Sequence, residues 1–97
     1  MDSIKNKKYR LADNAEIIYW KNSFGNALIR DDVGHCSMVF VALAGILTKE
    51  ASISYDEIKK RVCEVFVGGE KSPAFSEEGL MSELSTLEAL HLVETEV

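Results

Sequence analysis

Cys36-Ser37-Met38-Val39-Phe40-Val41-Ala42-Leu43-Ala44 is the stretch on which the fold turns, because it is apolar nearly all round. Such a run is either a helix covered on several sides or a buried strand. The β-branched Val39 and Val41 would suit a strand. The length of the run and its Ala-Leu-Ala ending favour a helix, with Asp31 or Asp32 as its N-cap. Read that way, the chain is strand-like before this run and helical from it onward.

Upstream, Glu16-Ile17-Ile18-Tyr19-Trp20 is rich in β-branched and aromatic residues, and Ala27-Leu28-Ile29-Arg30 is a second strand candidate. Between them Asn22-Ser23-Phe24-Gly25-Asn26 reads as a turn. Tyr9-Arg10-Leu11 is a short third strand ahead of the turn pair Asp13-Asn14. Residues 1 to 8 read as a flexible tail and residues 9 to 97 as a single domain.

Downstream, Ser54-Tyr55-Asp56-Glu57 matches the capping box, in which the Ser hydroxyl takes a free amide of the first helical turn. Ile53 and Ile58 are placed to form a hydrophobic staple across it. Ile58, Val62, Val65 and Phe66 line one face of this helix, Lys59, Lys60, Arg61 and Glu64 face water, and Gly68-Gly69 ends it. Ser76 caps a further helix, with Glu77 and Glu78 in the first turn, where the helix dipole favours them. Leu80, Leu84, Leu87 and His91 fall on one stripe, with His91 packed and bonded to a terminal carbonyl. Leu92-Val93 begins a short terminal strand. The expected fold class is α+β: a small N-terminal antiparallel sheet of three strands followed by three helices, winged-helix-like.

At 97 residues and 46% hydrophobic, the chain is long enough to bury about two-thirds of its unfolded surface without a disulfide or metal. No run reaches the length of about 20 apolar residues that a membrane span needs. Met1-Asp2-Ser3-Ile4-Lys5-Asn6-Lys7-Lys8 is basic but leads into no apolar core of a signal peptide, so a cytoplasmic protein is expected. In that compartment Cys36 and Cys63 read as thiols.

Charge is uneven. Residues 1–30 hold six Lys/Arg against three acidic residues (+3), and residues 31–97 hold five against thirteen (−8). An acidic body repels phosphates and disfavours a nucleic-acid partner.

Chemical motifs are sparse. Gly68-Gly69-Glu70-Lys71-Ser72 lacks the glycine spacing of a phosphate loop, and Glu70 would repel phosphate. With two Cys and two His, and only His35 and Cys36 close in sequence, no zinc spacing exists. A Cys–His nucleophile pair formed by the fold stays open, though no motif points to one. A winged-helix DNA binder would place its third helix in the major groove. Residues 76–91 carry Glu77, Glu78, Glu83 and Glu88 and no Lys or Arg, which is the wrong sign for that role. Peptide or protein binding remains: a small sheet has an edge whose unpaired N–H and C=O groups accept an added strand, and Ala27–Arg30 is the candidate edge. Packing of both its faces within the protein is an equal reading.

The pattern as a whole resembles the PqqD-like family, the recognition elements for precursors of ribosomally synthesised, modified peptides. The resemblance is carried by Tyr9-Arg10-Leu11-Ala12 leading into the Glu16–Trp20 strand, Ala27-Leu28-Ile29-Arg30, and the apolar run ending Leu43-Ala44-Gly45. It continues through Ile53-Ser54-Tyr55-Asp56-Glu57-Ile58 and closes with Leu80, Leu84, Leu87, Leu90 and His91-Leu92-Val93-Glu94. Asp31-Asp32-Val33-Gly34 stands where the family commonly carries Leu-Asn. The resemblance implies a peptide chaperone of natural-product biosynthesis and no enzyme. The leader of a precursor peptide would add as a strand to the edge at Ala27, Leu28, Ile29 and Arg30. It would lie against a third-helix wall of Leu80, Met81, Leu84 and Glu88. Implied partners are the leader peptide and a modifying enzyme such as a radical-SAM maturase or a leader peptidase, with no cofactor, nucleic acid or membrane. A winged-helix transcription regulator and a generic protein-interaction domain are the alternatives.

Overall fold

The computed structural model describes residues 3–18 and 25–97. Its elements run β1 (Lys8–Leu11), β2 (Ala15–Ile18), β3 (Asn26–Asp31), β4 (Cys36–Phe40), α1 (Val41–Ile46), β5 (Ile53–Ser54), α2 (Tyr55–Cys63), α3 (Glu77–Ala89) and β6 (Val93–Glu96). The strands form two three-stranded antiparallel sheets, ordered β5-β1-β6 and β2-β3-β4. The class is α+β, with three helices as expected and one more sheet than the sequence reading held. The extra sheet exists because β6 returns from the C-terminus to pair with β1, Tyr9 opposite Thr95 and Leu11 opposite Val93. The expected turn at residues 22–26, and Tyr19 and Trp20, fall largely outside the described residues.

The deciding stretch splits between the two readings. Cys36–Phe40 is strand and Val41–Ile46 is a short helix. Burial over Met38 and Val39 alternates as on a pleated strand: Met38 is 40% exposed and Val39 1%. The expected helix N-cap is instead the anchor of the β3–β4 turn. The Asp31 Oδ1 accepts from the amides of Val33 (3.0 Å) and His35 (2.8 Å), and its Oδ2 meets the His35 Nδ1 at 2.8 Å. Gly34 takes φ 107°, which a side chain would strain. Once this turn is tied, β4 is drawn onto β3, and ladder pairing overrides the helical texture of the run.

Both sequence-read caps form. Ser54 Oγ accepts from the Glu57 amide at 3.3 Å and Ser76 Oγ from the Gly79 amide at 3.0 Å. Glu57 does not complete the capping box; it pairs with Arg61 at 2.8 Å. Because α2 ends at Cys63, Val65 lies beyond it and is 56% exposed, not on the buried face. Lys59, expected in water, bridges Glu70 and Glu77, each at 3.3 Å.

The expected stripe Leu80, Leu84 and Leu87 is buried, but His91 is not part of it. His91 is exposed at φ 60°, one step past the C-cap Leu90. Its amide bonds to the Glu88 carbonyl (3.0 Å) and the Leu92 amide to the Leu87 carbonyl (2.9 Å). This is a Schellman closure, with Leu87 and Leu92 both fully buried as its apolar contact. It aims the chain at β1.

Residues 3–8, expected as a tail, are built in. Ser3–Asn6 is a single 3-10 turn, Ile4 packs against the core and its carbonyl accepts from the Tyr9 hydroxyl at 2.8 Å. Lys7 binds Glu88 at 2.7 Å, and its carbonyl accepts from the Tyr55 amide. Among the described residues Tyr9 and Tyr55 are the largest fully buried side chains, and the Tyr55 hydroxyl donates to Glu77 at 2.7 Å, tying α2 to α3. Among the described residues no helix is long and apolar enough to cross a membrane.

Burial works to raise the Asp31 carboxyl, but the bonds from the His35 ring and the His35 and Val33 amides outweigh it and hold the group below the usual aspartate range. The stability tied to this carboxylate is therefore present at neutral pH and lost as pH falls below about 4. Asp31→Ala is expected to lower the urea midpoint at pH 7, and its deficit against wild type to narrow in acid. At the left-handed position, His91→Gly is expected to raise stability by up to about 1 kcal/mol and His91→Val to lower it, both read by urea unfolding.

Candidate functional site

The strand expected to be an edge is the centre of its sheet. β3 pairs with β2 (Ile17 opposite Ile29) and with β4 (Ile29 opposite Ser37). No backbone remains on Ala27–Arg30 to receive a further strand. Ala27 and Ile29 are fully buried on the inner face. Leu28 is half-buried on the outer face, and Arg30 is exposed there with its guanidinium 3.0 Å from Glu16.

Of the two edge strands of this sheet, β2 and β4, the second lies beside α3. In the β3–β4 ladder the Val41 amide bonds to the Gly25 carbonyl and the Asp31 amide to the His35 carbonyl, each at 3.0 Å. Antiparallel ladders alternate, so the odd-numbered β4 residues face β3. Cys36 and Met38 then turn their N–H and C=O groups outward, and Phe40, whose carbonyl caps α1, its N–H. Outward of Phe40 stands α3, and the Phe40 amide donates to the Glu83 carboxylate at 3.1 Å.

Between β4 and α3 opens a cleft of about 390 Å³. Three aromatic rings line it. Phe40 stacks on Phe66 at 5.5 Å between centroids, and Phe66 meets Phe75 at 6.2 Å. On the α3 side are Leu80, Glu83 and Gly79, which brings no side chain. On the outer face of the same sheet, Ile18, Leu28 and Met38 share one cross-strand row. An extended chain laid along β4 would thus send alternate side chains to this row and to the cleft.

Of the expected helix wall, Leu80 lines the cleft and the others do not. Leu84 lies beneath, fully buried. Met81 is half-buried against the core, and Glu88 is held by Lys7 and by the Thr95 hydroxyl at 3.0 Å. The residues missed are Phe40, Phe66, Phe75 and Glu83. Their signal was partly available, since Gly79 and Glu83 stand four apart and share a helix face.

Glu83 is the chemically distinctive member. Burial pushes its carboxyl up, and the Phe40 amide offsets this only in part. It has no ion-pair partner among the described residues. A larger groove of about 760 Å³ lies beside the β3–β4 turn, but its polar side chains already have partners: Arg30 bonds Glu16, the Asp31 carboxylate meets the His35 ring, Asn14 donates to Asp32, and Lys49 donates to the Asp13 carbonyl. Cys36 is exposed and Cys63 buried, both as free thiols, and burial raises the Cys63 thiol further from reactivity. Among the described residues no group of three or more His, Cys, Asp or Glu is placed to hold a metal ion.

Comparison with protein-family models finds no match, and comparisons with curated proteins and with solved structures find none either.

Proline separates centre from edge. Ile29 uses its amide within the ladder, whereas Met38 turns its amide outward. Ile29→Pro is expected to unfold the domain, and Met38→Pro to keep its circular dichroism and lose little in urea midpoint.

Proposed function

We propose that the domain is a peptide-recognition adaptor of the PqqD-like kind, taking an extended peptide as an added strand on β4 beside α3. The observation that carries this reading is the outward-facing edge of β4 opening onto an aromatic-lined cleft. Backbone pairing at Met38 and Phe40 supplies affinity, and the cleft and the Ile18-Leu28-Met38 row read alternate side chains. The ligand class is the leader segment of a ribosomally made precursor. The domain presents it to a modifying enzyme, such as a radical-SAM maturase or a leader peptidase, by raising its local concentration. The adaptor itself performs no catalysis and needs no cofactor.

Charge supports a peptide over a duplex. The helix that would enter a DNA groove carries Glu77, Glu78, Glu83 and Glu88 and no basic residue. The test is selection of short linear peptides from a random display library on the whole chain, followed by amide-shift mapping of a winning peptide. Shifts at Cys36–Phe40 and Gly79–Glu83, with binding lost in Met38→Pro, are the expected result. Binders that map elsewhere, or tight binding of duplex DNA with a steep salt dependence, would overturn the reading.

A further inference from the structure

The edge that receives the peptide is already occupied at one point. Phe40 offers an outward amide, and Glu83 takes it at 3.1 Å. A strand added along β4 must bring its own carbonyl to that amide, so the carboxylate has to let go. Once released, it sits in a cleft whose other lining groups are aromatic, aliphatic or hydroxyl, and Glu83 is the one ionisable side chain among the described residues that line it. An ionised carboxylate left there without a partner is costly. Alternate backbone donors of an added strand are engaged by the outward carbonyls of β4, and a neutral N–H on its far side would leave the charge of the carboxylate uncompensated in that cleft.

We infer that Glu83 is a latch and the specificity-determining residue of the cleft, released from Phe40 by a Lys or Arg side chain of the incoming peptide. This rests on the β4-edge reading proposed above. The ligand class narrows accordingly: an extended segment with an aromatic or aliphatic residue for the Phe40-Phe66-Phe75 pocket and a cation placed to meet Glu83. A peptide with a neutral residue at that place has one other route, protonation of Glu83, which the raised carboxyl makes accessible. Its binding would therefore strengthen as pH falls.

The experiment is peptide display on the 97-residue chain, run in parallel on wild type and on Glu83→Gln, which is isosteric and keeps an acceptor for Phe40. Only binders that fail on Met38→Pro are scored. On wild type these are expected to share a Lys or Arg at a fixed spacing from an apolar residue, and on Glu83→Gln to lose that preference. For one such peptide, replacing Arg by its neutral isostere citrulline should weaken wild-type binding by about tenfold or more and Glu83→Gln binding little. Without any peptide, the Phe40 amide resonance should titrate with Glu83 in wild type and stay flat in Glu83→Gln. Edge binders with no cation preference, equal citrulline losses on both proteins, or a Phe40 amide that does not titrate would each overturn the latch and leave the edge reading standing. If no selected peptide depends on Met38, the edge reading falls and the latch with it.

Discussion

The position of β3, bonded on both sides, is the constraint from which the rest of the architecture follows. Its backbone is fully engaged, so the sheet can present an edge only at β2 or β4. β4 is fixed in register by the Asp31 turn. A slip of one residue would carry Val39 to the outside and Met38 into the core, and the buried carboxylate at the turn would lose its amide partners. β4 also runs without a loop into α1, with Phe40 as the junction. The same residue thus ends the strand, begins the helix and walls the cleft.

What places α3 beside that edge is the second sheet. β1 is paired with β5 on one side and β6 on the other, so it links the C-terminus to the strand that precedes α2. α3 is clamped between these commitments. At its start the Tyr55 hydroxyl holds Glu77, and at its end the closure at His91 sends Leu92 into the core and Val93 to β1. The helix cannot shift along its axis without breaking one clamp. Glu83 lies between them, and its reach to Phe40 follows from the positions of the two ends. The cleft is consequently formed in the free domain, which on the proposed reading would lower the ordering cost of a bound peptide.

The parts legible in the sequence were those decided locally. Ser54 and Ser76 announce helix starts because a hydroxyl takes an amide three residues on, and the structure shows both bonds. Leu80, Leu84 and Leu87 announce a buried helix face by spacing alone. The misread parts depend on which segments meet. Cys36–Phe40 is apolar on both sides because its inner face joins the core while its outer face joins an exposed row, and a run of that texture has no visible period. Ala27–Arg30 looked like an edge because only two strands before it were visible; β4 supplies its second neighbour from a stretch read as helix. His91 matched the leucine spacing, yet it sits where the chain turns left-handed, a backbone property its side chain does not declare. The cleft was illegible for the same reason. Phe40, Phe66 and Phe75 come from three separate segments, and nothing local brings them together.

An exposed strand edge is a hazard as well as an opportunity, since any second copy of β4 could pair with it. Glu83 bears on both. By holding the Phe40 amide it removes the donor at the cleft end of the edge. A second β4 would have to displace that carboxylate before it could pair along the whole edge, so the contact shortens the edge open to self-pairing. On the proposed reading, a strand that brings a compensating charge would escape this penalty. On the proposed reading the guard and the discriminator would be one side chain. That reading would account for a carboxylate half-buried among aromatic rings, at a position where a leucine would leave the Phe40 amide unheld.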